Sequence, residues 1–236
     1  MSKTILYIAM SADGFIASEN DNLDFLHKYQ IEGEDYGYQS FIEGVDAIIV
    51  GRKTYDVVIG LGFPYHPDKK IYVITRNEQR SIAENLLFYT GNLPELVSNL
   101  KSNTTKNIYC DGGAELAKSL IQHNLIDEII LSVIPTYLKS GTQLFDNGSV
   151  PAQFELINTT KYPIGLTQYH YQLNFNWKKT GPTPTLAQTN SRSVACSPTE
   201  NRSAPPYSQT RASRRNRVPG NCIPTPINTS AHIHVP

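Results

Sequence analysis

"NIYCDGGAELAKSL", residues 107–120, is the stretch on which the reading of this chain turns. An apolar, strand-like run ends at Cys110. Asp111 and the pair Gly112–Gly113 follow, and a helical apolar pattern starts at once and runs to residue 124. Two consecutive glycines weaken both a strand and a helix, so this junction suits something that must approach the main chain more closely than a side chain permits. Taken alone, "DGG" is a turn signal. Its position between a strand and a helix gives it weight, because unpaired N–H groups and the helix dipole favour anions at the carboxyl ends of strands in open α/β sheets.

Working outward, the same alternation recurs. "KTILYIA" (3–9), "DAIIVG" (46–51), "KKIYVITR" (69–76), "LLFYTG" (86–91), "KNIYC" (106–110) and "IDEIILSVIP" (126–135) read as strands. Most are near-continuous apolar runs of the kind buried on both faces of a sheet. Between them, "LDFLHKYQ", "DYGYQSFIEGV", "RKTYDVVIGLG", "LPELVSNLKS" with Pro94 in its first turn, and residues 114–124 read as helices. "FELINTTKYPIGLTQYHYQLNF" reads as two antiparallel strands closing the sheet edge. The expected fold is therefore α/β, with a mostly parallel, helix-covered central sheet and an antiparallel C-terminal edge.

The 236 residues divide unevenly. Residues 1–177 carry 13 Lys and Arg against 20 Asp and Glu, whereas 178–236 carry 8 basic residues and only Glu200, so the zero net charge is the sum of −7 and +7. The second stretch also holds 9 of the 15 prolines and has no apolar period. Such a composition cannot bury enough apolar surface to offset chain entropy, so 1–177 is expected to form the folded domain and 178–236 a disordered basic tail. "RASRRNR" (211–217) has neither aromatic interleaving nor a motif beside it, which argues against a nucleic-acid role. No leader and no apolar run near 18 residues is present, so a cytoplasmic protein without a membrane segment is expected. Cys110, Cys196 and Cys222 form no metal or disulfide spacing, the histidines show none either, and no metal site is expected.

Three strand ends carry ligand chemistry. "IIVGRKTY" sets Gly51 before Arg52, Lys53 and the Thr54 hydroxyl at a helix start, "VITRN" supplies Thr75 and Arg76, and "CDGGAEL" supplies the glycines. A bare cradle, two hydroxyls and three cations suit a dinucleotide with an additional phosphate. This is not the GxGxxG fingerprint. The ordered set "IAMSADGFIA", "IIVGRKTY", "VITR", "IYCDGGAEL", "DEIILSVIP" and "GTQLF" resembles the dihydrofolate reductase-like superfamily over roughly residues 3–175, in particular the branch containing the reductase domain of bacterial riboflavin biosynthesis.

The resemblance implies a three-layer sandwich, an NADPH cofactor, hydride transfer to a small heterocycle and a homodimer. Ala9 and Ile16 would border the nicotinamide. Gly51, Arg52, Lys53 and Thr54 would meet the phosphates, and Thr75 and Arg76 the 2′-phosphate side. Gly112, Gly113, Ala114, Glu115 and Leu116 would meet the diphosphate, with a cis Gly112–Gly113 bond.

On the substrate side, "NDNLDFL" lacks the Trp and the register of the folate enzymes' carboxylate. Asp24, which either caps its helix or positions substrate, and Ser132 on "LSVIP" are the candidate catalytic residues. The riboflavin-type step on 5-amino-6-(5-phosphoribosylamino)uracil is the activity the branch implies. Reduction of dihydrofolate or a pterin, and a non-catalytic nucleotide-binding module, are the alternatives.

Overall fold

Residues 2–60, 62, 65–148 and 150–174 are described by the computed structural model. The expected tail, with Cys196, Cys222 and "RASRRNR", lies outside them. Strand β1 (Thr4–Ser11) is buried at all eight positions, as the unbroken apolar run requires, and occupies the interior of an eight-stranded sheet. With β3 (Val45–Gly51), β4 (Lys70–Ile74), β5 (Leu86–Tyr89), β6 (Asn107–Gly112), β7 (Glu128–Ile134), β9 (Phe154–Lys161) and β10 (Thr167–Leu173), the order is β5-β4-β3-β6-β1-β7-β10-β9. β5 through β7 in this order are parallel, and β10 and β9 are antiparallel additions.

Side chains alternate across the sheet and sort the helices into two layers. Leu6, Ile8, Ile49, Ile108, Cys110, Ile129 and Leu131 point to one face and pack with Leu96, Val97 and Leu100 of α4 (Leu93–Asn103) and Leu116, Ala117 and Leu120 of α5 (Ala114–Gln122). Asn92 caps α4 by accepting from the Glu95 amide at 3.1 Å, with Pro94 in the first turn as expected. On the other face, Tyr7, Ile48, Val50, Ile71, Val73 and Tyr109 pack with Tyr38 and Ile42 of α2 (Tyr38–Glu43) and Tyr55 of α3 (Arg52–Gly60). Leu26 of α1 (Asp24–His27) joins Ala9 and Ile134 in a third cluster on that face. The result is the three-layer sandwich.

Several boundaries differ from the sequence reading. β6 continues through Asp111 into Gly112 instead of ending at Cys110, because β3 keeps pairing with it up to Val50↔Gly112. The helix expected over 35–45 shrinks to α2, since Gly37 at φ +83° precedes it and Gly44 ends it. A two-stranded ribbon of β2 (Phe15–Ala17) and β8 (Thr142–Gln143) lacks the length or period to signal itself. At the open edge, β9 is exposed after Phe154, and the register slips between His170 and Tyr171 so that Ile157 has no Cα partner. Such a bulge twists an otherwise unpaired edge.

Candidate functional site

The topology makes the cleft. β3 and β6 are neighbours, yet β3 feeds α3 on one face of the sheet and β6 feeds α5 on the other. The two chains separate at the strand ends, and a crevice opens there as at other switch points of α/β sheets. The cleft measures about 890 Å³ and runs from the ends of β4, β3 and β6 across Ile8 and Ala9 of β1 to α1.

The glycines of the opening stretch form its waist. The Gly112–Gly113 peptide is cis, as the resemblance implied, and Gly112 has φ +92°. A Cβ on Gly113 would lie 2.8 Å from Thr54 Oγ1, and one on Gly51 would lie 3.3 Å from the Gly112 carbonyl oxygen and 3.4 Å from the Gly113 nitrogen. The three glycines thus bring two main chains into a contact that side chains would push apart. Gly113 is also the N-cap of α5 and places no capping side chain on its first turn. Those amides, and the start of α3 at Arg52, are directed at one space, which creates positive potential without a charged residue.

Gly51, Arg52, Lys53, Thr54, Thr75, Arg76, Gly113, Ala114, Glu115 and Leu116 all line this cleft, together with Ala9 and Ile16 on the β1 side. Gly112 sits behind the lining as the hinge of the cradle. The three cations are unequal. Arg52 donates through Nε to both Asp56 carboxylate oxygens at 2.8 Å and through Nη1 to Gln79 Oε1, and its guanidinium lies 5.3 Å from the Phe88 ring centroid. Its charge is already matched. Lys53 and Arg76 are exposed and have no ion pair among the described residues.

The candidate catalytic residues are not brought together. Asp24 is absent from the lining, its side chain is 74% exposed, and its carboxylate accepts from Asn22 Nδ2 at 2.8 Å and faces His27 at 3.7 Å. It opens α1 from the outside; Leu23, Leu26 and His27 are residues of this segment that line the cleft. Ser132 is 4% exposed and is not among the lining residues; Gln168 Nε2 is 3.2 Å from its Oγ, 3.0 Å from the Tyr7 hydroxyl and 3.2 Å from the Tyr36 carbonyl.

The cleft holds instead a residue that the sequence reading quoted without assigning. Asp111 lines it, is 4% exposed, and accepts from Tyr109 Oη at 2.6 Å and Tyr65 Oη at 2.7 Å. Cys110 points to the α5 face, so the alternation sends Asp111 to the α1–α3 face, beside Val57 and Val58. Burial, and after it the Asp111 charge, pushes both phenol pKa values up. The only signal in sequence was an acid at the end of an apolar strand. Tyr65, which lies 46 residues away, carried none.

Among the described residues, no group of three His, Cys, Asp or Glu side chains is placed to hold a metal, and no helix is long and apolar enough to cross a membrane.

With this geometry in hand, likeness to known proteins becomes specific. The RibD C-terminal domain family matches residues 66–167. The uncharacterized protein YwjB of Bacillus subtilis strain 168 is 38% identical over 171 residues, covering 72% of this chain and 97% of that protein. Among solved structures, a putative riboflavin biosynthesis protein from Shewanella sp. PV-4 aligns with a TM-score of 0.65 and 26% identity over 72% of this chain and 98% of that one. The dihydrofolate reductase of Enterococcus faecalis, complexed with NADP(H) and RAB-propyl, aligns with a TM-score of 0.54 over 73% and 96%; at 16% identity this concerns the fold alone. The glycine junction, the parallel sheet with its antiparallel edge and the near-complete overlap with these relatives lead to one assignment: the chain belongs to the RibD C-terminal domain family of the dihydrofolate reductase-like superfamily.

Proposed function

We propose that this protein is a cytoplasmic, NADPH-dependent reductase of a small heterocycle. The observation that carries the reading is the convergence of two helix N-termini, the Gly51, Gly112 and Gly113 cradle and two unpaired cations on one cleft. The residues fit the cofactor. Main-chain amides at Ala114 and Glu115 and the Thr54 hydroxyl would hold the diphosphate, Lys53 and Arg76 the additional phosphate, and Ala9 and Ile16 the nicotinamide. When bound, NADPH supplies a hydride. The chain's own work is orientation and exclusion of water. Leu23, Leu26, Val57 and Val58 add apolar lining to the same cleft, and the N–H groups and cations would neutralise phosphate without moving a proton.

The support for a folate substrate is weaker than for another heterocycle, because Asp24, the acid that opens α1, lies outside the cleft. We also propose a homodimer that pairs through β9, where Leu156 and Ile157 are each 51% exposed on an unpaired edge. Sedimentation that gives a monomer for the unmodified chain would remove the dimer.

The decisive experiment is thermal unfolding of the full chain with NADPH and with NADH. A ligand bound only to the native state at about 100 times its Kd adds about 2.7 kcal/mol. A clear rise in Tm with NADPH, larger than with NADH, is expected. No rise with either would return the glycine pair to a plain turn and favour the non-catalytic module.

A further inference from the structure

α1 cannot hold its own place. It is four residues long, has no side-chain cap and buries only Leu26, yet Leu23, Leu26, His27 and Gln30 of this segment line the cleft. A helix this short is marginal without tertiary packing, so the chain around it sets where this wall stands.

The backbone that follows α1 needs support of its own. Between α1 and α2, Gly33, Tyr36 and Gly37 have φ of +82°, +55° and +83°. Tyr36 is no glycine and is buried, so its conformation persists only where neighbours hold it. Its hydroxyl donates to the Tyr29 carbonyl, and Tyr29 Oη is 3.3 Å from Thr136 Oγ1. Its own carbonyl accepts from Tyr7 Oη at 3.0 Å and from Gln168 Nε2 at 3.2 Å. The Tyr7 hydroxyl, having given its proton to that carbonyl, accepts from Gln168 Nε2 at 3.0 Å. A carbonyl can only accept, so the amide nitrogen of Gln168, not its oxygen, faces it.

The apolar contacts run the same way. Leu26 shares a cluster with Ala9, Tyr36 and Leu166, and Tyr162 and Ile164 pack against it. The last three belong to the turn between β9 and β10, and the Tyr162 ring meets that of Tyr36 edge-on at 4.9 Å. The antiparallel hairpin therefore packs on the cluster that holds the α1 wall, and Gln168 adds the polar link.

Resting on the reductase reading, we infer that Gln168 is a positioning residue. By holding the Tyr36 carbonyl, directly and through the Tyr7 hydroxyl, it fixes the segment after α1 and so sets the α1 wall against the nicotinamide end of the cofactor, beside Ala9. The cradle does not depend on it, because Gly51, Gly112 and Gly113 are placed by β3, β6, α3 and α5. Loss of Gln168 loosens one end of the cofactor and leaves the other held.

The test uses the full chain with NADPH and with adenosine 2′,5′-bisphosphate, which keeps the adenosine phosphates and lacks the nicotinamide. Amide hydrogen exchange and titration calorimetry are run on the wild type and on Gln168→Leu. Exchange over residues 23–37 is expected to quicken by about tenfold or more in the variant, while α4 and α5 keep their protection. NADPH affinity is expected to fall by about fivefold or more, and bisphosphate affinity to stay within about twofold. Gln172→Leu, at an exposed position of the same strand, is expected to change neither. Unchanged exchange over 23–37, or equal losses for the two ligands, would overturn the inference. Should Gln168→Leu lose protection throughout, Tyr7→Phe keeps the ring in the core, removes a donor to the Tyr36 carbonyl and is judged by the same outcomes. A wild type that does not bind NADPH would sink the reductase reading, and the exchange over 23–37 would still decide whether Gln168 holds the α1 segment. NADPH binding with unquickened exchange in the variants would do the reverse.

Discussion

The cradle half of the cleft and its α1–α3 half make their chemistry in different ways. Around Gly51, Gly112 and Gly113 the working groups are main-chain amides and helix ends, placed by two strand-to-helix junctions that are each local in sequence. In the other half, Asp111 is held by a tyrosine two residues before it and another 46 residues before it, under walls from α1 and α3. The first half is robust to most side-chain changes and vulnerable to added bulk. The second depends on individual side chains that meet only in the folded state.

The largest expected effect breaks the cradle. Gly112→Val sets a β-branched side chain at φ +92° and a Cβ 3.2 Å from Ile8 Cδ1. Stability should fall by about 1–3 kcal/mol, and the rise in Tm with NADPH should vanish. A variant that keeps the cofactor shift would mean that the main chain there is not the binding surface.

Removing both unpaired cations, Lys53→Ala with Arg76→Ala, sharpens the contrast between phosphate reading and diphosphate cradling. NADPH affinity is expected to fall by about tenfold or more, about 1.4 kcal/mol, while NADH affinity changes little. Arg52→Ala should instead cost stability, because its partners Asp56, Gln79 and Phe88 are already engaged. Equal losses for both cofactors in the double variant would remove the phosphate-reading role.

A control lies at the opposite end of the strands. Glu128, 6% exposed, is 3.0 Å from His170 Nε2 and 2.5 Å from Lys3 Nζ. The His170 hydrogen bond first, and Lys3 after it, outweigh burial and hold this carboxyl below its ordinary range. A depressed native pKa gives stability that is complete above the unfolded value and is lost as pH falls through the native one. Glu128→Gln should therefore flatten the acid limb of the stability profile and leave cofactor binding unchanged. An unaltered acid limb would show that the ion pair contributes nothing.

The smallest expected effect is that of Asp24→Asn. With its carboxylate outside the cleft, kcat/KM on an accepted substrate should stay within about twofold, and stability within about 0.5 kcal/mol. A kinetic loss of about tenfold or more would restore the catalytic role that its position in the sequence suggested.

The features legible in the sequence are those set by local residues. The near-continuous apolar runs of β1, β3 and β7 determined strands buried on both faces, and the glycines before α3 and α5 marked the junctions where two main chains approach closely at the cleft. The antiparallel edge was legible because β9 and β10 are two strand-like runs that lie close together in the chain. Each of these signals is complete within one short, contiguous stretch of chain.

The side-chain half was not legible, because its members obtain their roles from partners far along the chain. Asp24 and Ser132 had suitable chemistry, but helix rotation and strand alternation turned one outward and the other into a buried network with Gln168. Arg52 looked like a free cation until Asp56 and Gln79 met it. Asp111 looked like part of a turn until β6 extended through it and Tyr65 closed over it. The sequence by itself determined the sheet, its layers and a main-chain cradle, since hydrophobic period and glycine act over short range. Only tertiary structure decided which charges are matched and which are left to face a ligand, because electrostatic pairing is settled between elements that are distant in the chain.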